Sequence, residues 1–150
     1  MRRMRRDLAR PLAPPAWPEG ISVGPFRTAD APAIHALLEL GYRQGYGTVA
    51  DQETWHDALV SDDEFAADLC FVAKDGAGRV VGIAQCWTVG FVKDLVVHPE
   101  WRRRGLGLAL LHAAFAAFAA RGKTHVDLRV DADNEAAIAL YDKAGMREVP

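Results

Sequence analysis

The sequence predicts a mixed α/β fold in which helices flank a central β-sheet. Two stretches carry that expectation, each a strand feeding a helix. In the first, the apolar run Phe91–Val97 passes through His98, Pro99, Glu100 and Trp101 into Arg102-Arg103-Arg104-Gly105-Leu106-Gly107 and then into a long Ala/Leu/Phe helix. In the second, the strand-like residues 126–130 lead to Asp133 and Asn134, an apolar helical pattern and a closing Gly145. The third observation is size: 150 residues, 50% of them apolar and without an internal repeat, are enough to bury one core and give no sign of a second folded unit.

The remaining elements follow in chain order. Residues 1–20 hold five arginines against Asp7 in the first ten, then Pro11, Pro14, Pro15 and Pro18. Such a segment reads as a disordered basic, proline-rich tail, with residues 21–150 as the domain. A nucleic-acid or acidic-partner arm, or a start assigned too early, are the sharper readings of that tail. It lacks the apolar centre of a signal peptide, although its Arg-rich start distantly resembles a transit sequence. Residues 21–27 form a first strand. Asp30 opens a helix whose Ile34, Leu37, Leu38 and Leu40 share a face, and a shorter helix covers 52–60. Residues 69–73 and 80–87 make a hairpin around Asp75-Gly76-Ala77-Gly78. The strand Phe91–Val97, a helix over 105–121, a strand over 125–130 and a helix over 134–144 complete the pattern.

The basic turn is built for an anion. Free N–H groups at a helix start, the positive end of the helix dipole and two glycines allow close approach of a phosphate. A nucleotide P-loop needs a lysine and a hydroxyl after its last glycine, and none follows Gly107. A dinucleotide fingerprint needs a third glycine where Leu110 stands, and seven residues separate Val97 from Gly105, so the spacing of Asp127 as a ribose contact is coincidence. What remains, Arg102-x-x-Gly105-x-Gly107, resembles motif A of the GNAT superfamily of acyl-CoA-dependent N-acyltransferases. The stretch from Asn134 to Tyr141 resembles its motif B, where an Asn opens a helix and a Tyr follows seven residues later. Seven residues are two helical turns, about 10 Å along one face, so both can address one elongated ligand.

The resemblance implies a set of roles. Acetyl-CoA is the cosubstrate, with no metal. The main chain of Leu95, Val96 and Val97 would face pantetheine and the developing oxyanion. The N–H groups of Arg103, Arg104, Gly105, Leu106, Gly107 and Leu108 would hold the pyrophosphate, with charge from Arg102, Arg103 and Arg104. Asn134 would bond the cofactor, and Tyr141 would protonate the departing thiolate. Asp94 is the nominated base, followed by His98 and Glu53. Relatives that acetylate protein N-termini often carry a Glu at the position of Arg129, which sets this chain apart from them. Tyr42, Tyr46 and Trp55, among Gly41, Gly45 and Gly47, are candidates for the acceptor wall. Transfer is expected to be direct, because Cys70 and Cys86 lie outside both motifs and read as buried thiols of a reduced cytosolic protein. The alternative is a catalytically silent domain that binds acyl-CoA or a partner protein.

Charge and length complete the expectations. Formal charge is −2, so the body beyond the arginine-rich first ten residues carries about −6, which disfavours nucleic acid as its ligand. Asp51, Glu53, Asp57, Asp62, Asp63, Glu64 and Asp68 read as a solvated face or as an attraction for a cationic amine. No membrane segment is expected, and the chain reads as cytoplasmic. GNAT chains usually finish with two antiparallel strands after motif B, whereas only Met146 to Pro150 follow here, so the final strand looks missing. A partner subunit in a homodimer or the N-terminal segment could supply it.

Overall fold

The computed structural model describes residues 1–43 and 45–150. In chain order the elements are β1 (Arg2–Asp7), β2 (Ser22–Gly24), α1 (Ala31–Tyr42), α2 (Gln52–Ser61), β3 (Phe65–Lys74), β4 (Val80–Trp87), β5 (Phe91–Val97), α3 (Leu106–Ala120), β6 (His125–Val130), α4 (Glu135–Lys143) and β7 (Arg147–Val149). The strands form one sheet in the order β2-β3-β4-β5-β6-β1-β7. The expected hairpin is present as β3 and β4, and β5 continues antiparallel from β4. The crossover through α3 then returns β6 parallel to β5.

Helices form where the pattern placed them. Asp51 caps α2 by accepting the Thr54 N–H, and Asn134 caps α4 by accepting the Ala137 N–H at 3.3 Å. Leu106, Leu110, Leu111, Phe115 and Phe118 bury one side of α3 against the sheet, while Ile34, Leu37 and Leu38 of α1, with Trp55 and Leu59 of α2, cover the opposite face. The sheet is therefore the middle of three layers over β3, β4 and β5.

The largest departure is the N-terminus. Residues 2–7 are no tail: β1 lies between β6 and β7, antiparallel to both, with Met4 opposite Leu128 on one side and Glu148 on the other. Three physical facts order a segment that composition marks as disordered. Met4 is 2% exposed in the main core, and Leu8, Leu12 and Trp17 pack partly buried further along, so apolar anchors recur through the arginines and prolines. Arg6 lies on the core side, over the Phe115 ring, and donates to the Ala144 carbonyl at the end of α4. On the other face, Asp127 of β6 accepts from Arg3 at 2.8 Å and from Arg5 at 2.8 and 2.9 Å. That ion pair, rather than any ribose, accounts for Asp127. One short strand, β7, does follow motif B. The place beside it is taken by the chain's own β1, so of the two expected suppliers of a strand here it is the N-terminal segment that does so.

Asp127 ties β6 to β1 through one carboxylate. Burial pushes its pKa up, but the hydrogen bonds and charges of Arg5 and Arg3 outweigh this and hold it below the usual carboxylate value. Its stabilising effect is therefore present above the ordinary carboxylate pKa and lost as pH falls through the lowered folded value. Asp127→Asn should cost about 1–3 kcal/mol at pH 7, discounted for the partial exposure of both arginines. Urea denaturation of wild type and variant should converge as the pH approaches 3. A variant as stable as wild type at pH 7 would contradict this account.

Candidate active site

The site begins where two strands stop pairing. β5 and β6 share a single register point, Phe91 opposite Asp127, with the Asp127 N–H donating to the Gly90 carbonyl at 2.9 Å. Beyond it they diverge. Leu95, Val96 and Val97 pair with Ala84, Ile83 and Gly82 of β4 on one side only. In an antiparallel ladder alternate backbone groups point away from the partner, so part of this stretch presents N–H and C=O groups to the split. The split is the floor of a cavity of about 790 Å³, lined by Leu95, Val96, Val97, Arg129, Val130 and Asn134 among others. That volume suits an extended small-molecule ligand.

One end of the cavity is the mouth of α3. Gly105 caps this helix with φ 85°, and the first helical bond runs from the Ala109 N–H to the Gly105 carbonyl at 3.0 Å. The N–H groups of Leu106, Gly107 and Leu108 thus precede the ladder and are available to an anion. Arg102, Arg103, Leu106 and Gly107 line the cavity. Arg104 does not: its guanidinium lies 4.8 Å from the centre of the Trp101 ring. Gly105 and Leu108 are also outside the lining, and the two glycines prove to have separate tasks. Gly105 supplies a left-handed cap, with open space around a would-be Cβ. A Cβ on Gly107 would stand 3.1 Å from Leu140, so this glycine lets α3 and α4 approach. The set of backbone donors and arginines fits a pyrophosphate.

The other end holds the titratable groups. Tyr141, on the buried side of α4, lines the cavity, and burial pushes its hydroxyl up to about 12. Tyr42, at the end of α1, lines it too, and its hydroxyl donates to Oδ1 of Asp94. Burial foremost, then the Asp94 charge and hydrogen bond and the nearby Tyr141, raise the Tyr42 pKa well above the ordinary phenol. Asp94 itself is 6% exposed and lies behind Tyr42, outside the lining. It faces α1 because β5 bulges: the register with β4 slips between Gln85 opposite Asp94 and Cys86 opposite Val92. The alternation beyond the bulge is as expected, with Asp94 and Val96 on one face and Leu95 and Val97 on the other.

Three expectations are corrected here. Trp55 is 9% exposed inside the α1/α2 core, beside His35 and His56, and does not reach the cavity. His98 accepts the Glu100 N–H through Nδ1, and Glu53 is exposed on α2; neither lines the cavity. Among the described residues, the acidic run from Asp51 to Asp68 contributes nothing to the lining, whose charged members are Lys93, Arg102, Arg103, Arg129 and Asp131. Tyr46 does line it. Its hydroxyl stands 3.5 Å from the Asp133 carbonyl across the split, and a Cβ on neighbouring Gly47 would stand 2.9 Å from the Tyr42 ring. The cavity residues missed by sequence reasoning, notably Lys93, Phe91 and Asp131, sit beside the named ones but carry no motif signal. Cys70 and Cys86 are buried free thiols, as expected, both pushed up by burial. Among the described residues no His/Cys/Asp/Glu group could hold a metal ion, and no helix is long and apolar enough to cross a membrane.

Comparison with known proteins agrees with this geometry. The model of the acetyltransferase (GNAT) family matches residues 31–146. The mycothiol acetyltransferase of Clavibacter michiganensis is 36% identical over 138 residues, covering 87% of this chain and 44% of that protein. That of Thermobispora bispora is 34% identical over 165 residues, covering 95% and 52%. The crystal structure of a GCN5-related N-acetyltransferase from Sphaerobacter thermophilus superposes with a TM-score of 0.84 at 30% identity, over 99% of this chain and 48% of that one. The chain belongs to the GNAT acetyltransferase family. It spans about half the length of the curated relatives it matches.

The position of Tyr42 depends on Gly41, where a Cβ would stand 2.5 Å from Cγ1 of Val96. Gly41→Val should push α1 off β5 and cost about 1–3 kcal/mol, measurable as a lowered urea midpoint. Unchanged stability would show that the helix does not rest on Val96 there.

Proposed function

We propose that this domain transfers an acetyl group from acetyl-CoA to an amine by direct attack. The observation that carries the reading is the split between β5 and β6: it opens onto the N-terminus of α3 at one end and onto Tyr141 at the other. The family supports acetyl-CoA as cosubstrate. Because the chain spans about half of its relatives, their acceptor enters as a candidate only, and mycothiol chemistry heads the acceptors to be tried.

The residue roles follow from position. The N–H groups of Leu106, Gly107 and Leu108, with Arg102 and Arg103, hold the pyrophosphate. Backbone groups of Leu95, Val96 and Val97 align pantetheine and donate to the carbonyl oxygen as negative charge develops. Asn134 stands in the same wall, although its side-chain oxygen already caps α4. Tyr141 holds the proton for the departing thiolate. A phenol near 12 donates poorly to a thiolate in water, but burial raises both groups: the Cys70 thiol in this core is itself pushed up to about 12. A thiolate that forms in the cavity beside Tyr141 is stabilised by receiving that proton. Tyr42 and Tyr46 form the acceptor wall, and Asp94 is the base. Tyr42, Asp94 and Tyr141 thus surround the place where acyl group and amine must meet.

Isothermal titration of acetyl-CoA, followed by release of CoA thiol with a panel of cysteinyl sugars, peptides and polyamines, tests this. Micromolar binding with amine-dependent release is expected. Tyr141→Phe should lower kcat by about 10²-fold while leaving acetyl-CoA affinity within about threefold. Binding without release to any amine would leave only the silent reading. An unchanged rate in Tyr141→Phe would remove the acid assignment. Since Tyr141 is neutral in the fold up to about 12, wild-type kcat should show no alkaline loss below pH 10.

A further inference from the structure

We propose that Tyr42 is the contact between the acceptor ammonium and its base: the Tyr42 hydroxyl takes the amine proton as its own passes to Asp94, and the buried Gln85 amide receives the protonated carboxyl. The proposal rests on the acetyl-transfer reading and adds the route by which a carboxylate outside the cavity reaches a substrate inside it.

The route is dictated by placement. Tyr42 lines the cavity and Asp94 does not, and among the described residues the side chains of the lining that donate to the Asp94 carboxylate are Tyr42 and Lys93. Lys93 Nζ stands 3.5 Å from Oδ2 and is a cation with no lone pair to accept a proton. An amine in the cavity therefore has access to Asp94 through the Tyr42 oxygen, whose lone pairs remain free while its hydrogen is given to Asp94.

The second observation is Gln85. Its side chain is 2% exposed, its Nε2 donates to the Cys86 carbonyl at 3.1 Å, and its Oε1 is buried without a partner among the described residues. A buried amide oxygen without a donor is costly. Gln85 stands opposite Asp94 in the β4/β5 register, and directly paired residues of an antiparallel ladder share a face. Ionised Asp94 can only accept, so it offers Gln85 Oε1 nothing; protonated, it gains one O–H donor. Protonation of Asp94 thus supplies, on the sheet face that holds the orphan oxygen, the kind of group that can satisfy it. The other titratable groups around this cluster are Lys93, whose ammonium has no lone pair, and Tyr141, Cys70 and Cys86, whose pKa values burial raises, so the proton meets no competing base there.

The protons balance. The ammonium N–H breaks as Tyr42 O accepts its proton, while the Tyr42 O–H breaks as Asp94 accepts that one, leaving a neutral amine, Tyr42 as phenol and Asp94 as acid. The amine nitrogen forms the C–N bond and the C–S bond breaks. Tyr141 gives its proton to sulfur and recovers the second N–H proton from the new amide nitrogen. One proton remains on Asp94 and leaves by Tyr42 once the products have gone, so an ammonium and a thioester yield an amide, a thiol and one proton.

The test uses kcat/KM of wild type, Tyr42→Phe and Asp94→Asn from pH 7 to pH 10 with the best acceptor of the amine panel above. At pH 7, where an alkyl amine is protonated, each variant should be slower by about 10²-fold. As the amine begins to lose its proton unaided, near about pH 8 for an α-amine such as a cysteinyl one and near about pH 10 for an alkyl amine, the deficit should shrink to a few-fold. The double variant should be no worse than either single one, as befits one relay, and Gln85→Leu should show a smaller deficit with the same pH trend. Acetyl-CoA affinity should be unchanged in all. A deficit that is the same at pH 7 and pH 10 would mean that Tyr42 only packs, and no deficit would overturn the relay while acetyl transfer stands. A wild type that binds acetyl-CoA and acetylates nothing would remove the transfer reading and the relay together.

Discussion

The single register point between β5 and β6 is the constraint on which the rest of this structure depends. Phe91 and Asp127 are held opposite each other, and every residue beyond them is free to diverge. The divergence exposes backbone groups that a continuous sheet would consume, and it lets the α3 N-terminus, the α4 tyrosine and the end of α1 meet in one cavity. Divergence is costly unless the far side is pinned. Asp127 does that, since its N–H anchors to Gly90 while its carboxylate is clasped by Arg3 and Arg5 of β1. The strand that seems least like part of a domain thus sets the position of one wall of the site.

A second constraint is the polar cluster on the α1 face of the sheet. Burying Asp94, Gln85 and the Tyr42 hydroxyl in a largely apolar layer costs stability unless each is paired, and among the described residues Gln85 Oε1 is not. Departures of this kind from well-satisfied packing concentrate at functional sites. The bulge at Lys93 has the same character. It interrupts the ladder, and in doing so turns a carboxylate toward Tyr42 that strict alternation from Val92 would have turned the other way.

Much of this was legible in the sequence because the signals are local. The helices over α1 to α4 follow from apolar periodicity and, for α4, from the Asn134 cap, and the hairpin of β3 and β4 follows from its Asp-Gly turn. The two motifs named Leu95, Val96, Val97, Arg102, Arg103, Gly107, Asn134 and Tyr141, and all of these line the cavity. What failed was non-local. Composition marked residues 1–20 as a tail because arginine and proline dominate it, yet order there comes from Asp127, some 120 residues away, and from Met4 entering a core built by other strands. Trp55 looked like a ligand wall because of neighbouring glycines in the sequence, but the helical phase of α2 turns it into the core. Of the two readings of the acidic run, the solvated face fits its absence from the cavity lining.

The account's central claim is that acetyl-CoA lies along β5 in the split. Backbone amide NMR on acetyl-CoA addition tests it most directly. Shifts and slowed exchange are expected at Leu95, Val96 and Val97 and at Gly105, Leu106 and Gly107, with β2 and the outer edge of β3 unaffected. Perturbation confined to other elements, or none at saturating acetyl-CoA, would contradict the account.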